Sequence, residues 1–94
     1  MKALSNESRL QALDLLKDPV GNFPPQVDGD LAEHGVCANN LAARLGITPS
    51  TLSAHMRLLT AAGLVRATRR KGWVFYRRDD DAIRRELTRA ASSL

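Results

Sequence analysis

The stretch Leu41-Ala42-Ala43-Arg44-Leu45-Gly46-Ile47-Thr48-Pro49-Ser50-Thr51-Leu52-Ser53-Ala54-His55-Met56-Arg57-Leu58-Leu59 reads as two helices meeting at a corner. Asn39 or Asn40 is placed to cap the first, which runs through Leu41, Ala42, Ala43, Arg44 and Leu45, and Gly46 supplies the left-handed residue that ends it. Thr48 then stands at an N-cap position with Pro49 directly behind it, where proline's fixed φ suits the first turn and its missing N–H is not needed. This second helix extends to Ala62 and stops at Gly63. A connection as short as Gly46-Ile47 forces a sharp corner, so the pair reads as a helix-turn-helix.

At about 100° per residue, Leu52, Met56 and Leu59 share one narrow sector of the second helix, flanked by Leu58 and Ala62, and that sector is predicted to face a core. Ser50, Ser53, Ala54 and Arg57 fall on the opposite side. Small residues followed one turn later by an arginine suit a helix that enters the major groove. Bulky side chains would hold the backbone away from base edges, whereas serine bonds base or phosphate and alanine touches a thymine methyl. The same pattern also fits the exposed face of an ordinary amphipathic helix, and the wheel alone does not separate the two. His55, about 60° from Leu52, reads as a packed or hydrogen-bonded structural residue whose outer nitrogen could still reach a phosphate.

Beyond the second helix, Leu64–Thr68 reads as a strand, Arg69-Arg70-Lys71-Gly72 as a turn and Trp73–Arg77 as the returning strand. The result is a hairpin with a cationic tip. Three adjacent cations repel one another, and a nearby phosphate backbone removes that repulsion while releasing counterions. Trp73, Phe75 and Tyr76, three of the four aromatics, are expected to pack the hairpin onto the helices, a single-strand stacking platform being the alternative.

Toward the N-terminus, Asn6 caps a helix over about residues 6–17, with Leu10, Leu13 and Leu16 at helical spacing, and Asp18-Pro19 stops it. Residues 19–35 hold three of the four prolines and three of the six glycines, and no regular element fits them. So long a connection is tied down by Phe23, Val27 and Leu31, or mobile, or functional. Its Asp28, Asp30, Glu33 and His34 match no calcium-loop spacing and read as a solvated acidic loop, so no metal site is expected. The last segment, 79–94, opens with three aspartates and carries Ile83, Leu87, Ala90, Ala91 and Leu94 as an amphipathic stripe. That stripe covers its own core or, together with the first helix and Leu4, meets a second copy across a two-fold axis.

Composition bounds these readings. Ninety-four residues, 44% hydrophobic and 26% charged, make one foldable domain, 1–94, too small for a barrel enzyme or a doubly wound nucleotide-binding sheet. No apolar run approaches the roughly 18 residues of a spanning helix, and Met1–Leu10 has no continuous apolar block, so a cytoplasmic protein without a membrane partner is expected. The net charge of +4 is unevenly placed: residues 1–43 carry three cations against six carboxylates, residues 44–94 eleven against four. Ten of those eleven are arginines, whose planar fork suits phosphate and guanine edges. Cys37 is the single cysteine, so no internal disulfide forms. Two histidines in different elements, no nucleophile–base pair and no phosphate-cradling glycine loop argue against an enzyme.

The helix-turn-helix stretch quoted above, followed by Ala61-Ala62-Gly63-Leu64-Val65 and Gly72-Trp73-Val74-Phe75-Tyr76, resembles the ArsR family of winged helix-turn-helix repressors. The opening Lys2-Ala3-Leu4-Ser5-Asn6-Glu7-Ser8-Arg9-Leu10 is similar to that family's first-helix signature. The resemblance spans nearly the whole chain, with 19–35 as an enlargement. It implies a mostly α fold with a β-hairpin wing, and a homodimer that binds a pseudo-palindromic operator in double-stranded DNA and represses transcription until a signal releases it. By the same resemblance Ser50, Thr51, Ser53, Ala54 and Arg57 read DNA, and Arg69, Arg70 and Lys71 sit at the wing tip. Cys37 coincides with the first cysteine of a thiolate pair that some members use to bind metal, but Asn39 replaces the second, and the last helix has no histidine for the family's other metal site. No cofactor is implied, and Cys37 reads as a buried inert thiol. The competing reading from another class is a winged-helix module that docks on protein through its apolar last helix and never reads DNA.

Overall fold

In the computed structural model, which describes residues 2–26 and 29–92, a short 3₁₀ turn (Lys2–Leu4) leads to Asn6, whose Oδ1 accepts the Arg9 N–H at 3.1 Å and starts helix α1 (Glu7–Leu15). The 19–35 segment is not wholly irregular. Pro19–Asn22 forms one helical turn, α2, because Asp18 turns its carboxylate onto the Gly21 N–H at 3.1 Å and Pro19 takes the N1 position. The proline that ends one helix therefore opens the next.

The rest of the segment is held by burial and by one side chain. Phe23 and Leu31 are buried, and Val27 lies outside the described residues. Gln26 accepts the Cys37 N–H at 2.8 Å and donates to the Gly35 carbonyl at 2.7 Å, stitching the loop to the short strand β1 (Val36–Cys37). Asp30 closes a turn on the Ala32 and Glu33 N–H groups, and its own N–H donates to His34 Nδ1 at 2.9 Å.

Helix α3 (Ala38–Leu45) starts directly from β1, so the position expected for Asn39 or Asn40 as cap belongs to Cys37, whose side chain makes no capping bond. Strand pairing fixes where the chain turns, and the helix starts there without a polar cap. Gly46 ends it at φ 70°, in the left-handed region. Thr48 Oγ1 then accepts the Thr51 N–H at 3.2 Å to open α4 (Pro49–Ala61). Strands β2 (Val65–Arg70) and β3 (Trp73–Arg78) and helix α5 (Asp80–Ser92) complete the chain, and the antiparallel sheet runs β1-β3-β2.

The core is a helical layer against one sheet face: Ala12 and Leu13 from α1, Leu41 from α3, Leu52, Met56 and Leu59 from α4, Val36, Val65 and Tyr76 from the sheet and Ile83 from α5. Residues i and i+1 of a strand point to opposite faces, so the burial of both Phe75 and Tyr76 means that both faces are covered. Tyr76 meets the helices. Phe75, 1% exposed, lies under the enlarged loop, with the His34 ring 6.4 Å away and Gly29 pressed against its edge. Trp73 departs from expectation: it does not anchor the hairpin to the helices but stands 39% exposed on the Phe75 side.

Candidate nucleic-acid interface

Helix α4 presents Ser50, Thr51, Ser53, Ala54 and Arg57 to solvent while Leu52, Met56 and Leu59 are buried. At its N-terminus the Thr48 hydroxyl donates to Thr51 Oγ1 at 2.9 Å and lies 3.3 Å from Ser50 Oγ, so three hydroxyls are clustered on the first turn. Their oxygens form an exposed polar end suited to a phosphate or a base edge.

The wing differs from the four-residue cationic tip expected. β2 extends through Arg70, and the turn is two residues, Lys71 (φ 52°) and Gly72 (φ 81°), the double-positive geometry of a type I′ hairpin. Strand alternation then splits the three cations. Arg69 pairs with Val74 on the helix-facing side, Arg70 pairs with Trp73 on the opposite side, and Lys71 occupies the tip. Arg69 and Arg57 converge on Tyr76: burial raises the phenol's pKa, and the two guanidinium charges oppose that rise. Arg69 thus shares the helix-facing side of the wing with Tyr76, on which the charge of Arg57 also acts, and Arg70 lies on the other side.

Much of the remaining positive charge is engaged internally. Arg66 pairs with Asp79 at 3.1 Å, Arg78 with Asp80 at 2.6 Å and with the Leu13 carbonyl at 2.7 Å, and Arg77 donates to the Glu33 carbonyl at 2.7 Å. Arg84 pairs with Asp81 and Arg89 with Glu86. Arg57, Arg69 and Lys71, by contrast, make no hydrogen bond or ion pair among the described residues.

His55 has the structural partner that its position on the wheel suggests. Buried Arg9 donates through Nη1 to His55 Nδ1 at 3.0 Å and through Nε to the Ala3 carbonyl at 2.7 Å, tying α1 to the flank of α4. A guanidinium can only donate, so His55 Nδ1 is the acceptor of this bond. No spacing signal announces a pair 46 residues apart.

The residues expected to form a dimer surface divide. Ile83 is 9% exposed and belongs to its own core, and Leu4 is half-buried against that core. Leu87, at 57%, and Ala90 and Ala91 are left outside it, while Leu94 lies outside the described residues. Leu10 on α1 is a further exposed apolar side chain, invisible as such in the sequence because its spacing with Leu13 matches core spacing. Among the described residues no helix is long and apolar enough to cross a membrane, and no group of three or more metal-ligating side chains comes together.

Residues 29–68 match the family model of a helix-turn-helix domain. Over 82 residues the chain is 44% identical to the HTH-type transcriptional regulator YbzH of Bacillus subtilis (strain 168), covering 87% of this chain and 82% of that one. Among solved structures, the homodimeric winged helix-turn-helix DNA-binding domain of Mb0332 from Mycobacterium bovis, "a possible ArsR-family transcriptional regulator", is 30% identical with a TM-score of 0.65, over 98% of this chain and 73% of that one. The antimony-specific transcriptional repressor AntR is 26% identical with a TM-score of 0.63, over 98% and 72% of the two chains. With this identity to HTH-type regulators across nearly its whole length, and a wing, helix-turn-helix and terminal helices in the same order, the chain belongs to the ArsR-type winged helix-turn-helix family, DNA-binding regulators of transcription and not enzymes.

Proposed function

We propose that the protein is a cytoplasmic, homodimeric repressor that recognises an inverted repeat in double-stranded DNA. One α4 per subunit lies in each of two successive major grooves about 34–36 Å apart, and each wing grips the flanking backbone. Ser50, Thr51, Ser53 and Ala54 approach base edges and the nearest phosphates, Arg57 reads a base, Arg69 and Lys71 neutralise phosphates, and Arg70 adds to the field from the outer face of the wing. The observations that carry this reading are the exposed small-residue face of α4 that ends in Arg57 and a wing-tip lysine held at positive φ. Asparagine or glycine would occupy that turn position at lower cost, so a strained cation there points to a requirement for charge. Exposed Leu87, with Ala90 and Ala91, forms the subunit contact, where Leu87 gains a partner. The homodimeric Mb0332 domain and the repressor AntR support assembly and direction of control.

The experiment is selection of bound duplexes from a random pool at 0.1–0.2 M salt, on the order of physiological ionic strength. An enriched inverted repeat with half-sites one helical turn apart is the expected result. Enrichment of a single unpaired half-site, or none at all, overturns the proposal.

A further inference from the structure

A groove of about 540 Å³ opens on the outer face of the sheet, lined by Pro24, Pro25 and Gln26 of the enlarged loop, Cys37, Asn39 and Asn40 at the start of the helix-turn-helix, and Trp73 and Phe75 of the wing. That volume lies within the range of small-molecule sites, and the proposed DNA contacts of α4 and the wing tip use none of these residues. We propose that this groove binds a neutral, planar aromatic molecule with one hydrogen-bonding edge, and that its occupancy changes operator affinity. The second clause rests on the DNA-binding reading above; the first does not.

The chemistry of the walls selects the ligand class. Among the described residues no Asp, Glu, Lys, Arg or His lines the groove, so a charged ligand would lose hydration without a compensating partner among them. Two proline rings and the part-exposed Trp73 line the groove over buried Phe75, surfaces that take a flat apolar body. Gln26 is spent on its bonds to Cys37, Gly35 and Asn40 and acts as a fixed part of the frame. The Asn39 amide makes no hydrogen bond among the described residues and is exposed at the rim, where it offers both a donor and an acceptor. An exposed tryptophan beside it costs solvation that a stacking ligand would recover. The groove also joins the loop, the start of α3 and the tip end of β3, where Trp73 directly follows the turn, so a ligand held there bears on the placement of the wing against the helix-turn-helix. A ligand that favours one spacing over another therefore shifts DNA affinity, and DNA shifts ligand affinity by the same factor.

The probe is 1-naphthamide, added to uniformly ¹⁵N-labelled full-length protein. Trp73 is the single tryptophan, so its indole N–H gives one cross-peak. We expect that peak and the Asn39 side-chain peaks to shift saturably, the shifts to vanish in Asn39→Phe, which fills the groove from an exposed position, and fluorescence anisotropy to record a change in operator affinity of about 5-fold or more. The dispersion of the unliganded Asn39→Phe spectrum verifies that the variant is folded. Absence of saturable shifts, or shifts undiminished in Asn39→Phe, overturns the site whether or not DNA is bound. Saturable shifts with operator affinity changed less than about 2-fold overturn the regulatory clause, since coupling energies of allosteric pairs exceed that. If the protein binds no DNA, the DNA-binding reading fails and the spectra alone judge the groove.

Discussion

Lys71→Asn should move stability and DNA affinity in opposite directions. Lys71 is the one non-glycine residue with positive φ among the described residues, at 52°, followed by Gly72 at 81°. A left-handed conformation costs an L-residue about 1–2 kcal/mol, and asparagine, which leads type I′ turns, relieves about 1 kcal/mol of it. For a domain of this size that is an increase in Tm of roughly 4 °C, read by thermal denaturation. On DNA the substitution removes one phosphate contact per subunit. Each contact contributes about 0.9 to the slope of log K against log salt, so a dimer should lose about 1.8 from it. Relative to 1 M salt, that slope difference amounts to about 30-fold weaker binding at 0.15 M, equal for operator and random duplex. Fluorescence anisotropy over a salt series measures both. A higher Tm with an unchanged slope would show that the wing tip stays off the backbone. A lower Tm would show that the turn is not limited by its left-handed lysine.

Arg57→Ala should weaken operator binding by about 1–3 kcal/mol and relax preference at one base position, while binding to random duplex changes far less, as competition assays would record. Leu87→Lys should leave the monomer folded, because the side chain is outside its core, yet convert the dimer to a monomer by light scattering; an unchanged mass places the subunit contact elsewhere. Gly29→Ala should destabilise by about 1–3 kcal/mol in urea, since its new Cβ would lie 2.7 Å from the edge of buried Phe75. Asp79 accepts the Ala82 N–H at 2.9 Å and pairs with Arg66, in that order of importance holding its carboxyl below the ordinary 3.8. A lowered folded pKa stabilises above the unfolded value and is lost as pH falls through the folded one. The stability gap between wild type and Asp79→Ala should therefore be full at pH 7 and shrink as the pH drops below 3.8, as seen in urea midpoints across pH.

Local chemistry was enough to read most of the elements. Asn6, Thr48-Pro49, Gly46 and Gly63 act within four residues of themselves, through caps and left-handed turns that need no distant partner. The buried sector of α4 follows from period alone. Reading failed wherever the deciding contact was remote in the chain. β1 is two residues long and exists only because Tyr76 and Phe75 lie beside it, and its presence displaces the expected asparagine cap of α3. Gln26 looks like any loop residue until Cys37 and Gly35 come within its reach. The 3.6-residue stripe of α5 could not say that Ile83 faces inward and Leu87 outward, because a stripe records hydrophobicity and not which body covers it.

What the linear order of residues determined is the kind of protein: two short helices at a tight corner, a basic hairpin and an arginine-rich second half. Each of these depends on interactions spanning a few residues, or on composition. The folded chain alone decided how the charges are used. Two more residues in β2, Arg69 and Arg70, moved the turn to Lys71-Gly72, and a strand's two-residue period then put Arg69 on the helix-facing side and turned Arg70 to the other face with Trp73. A one-residue shift in strand register reverses every side chain, and no count of nearby residues contains that information.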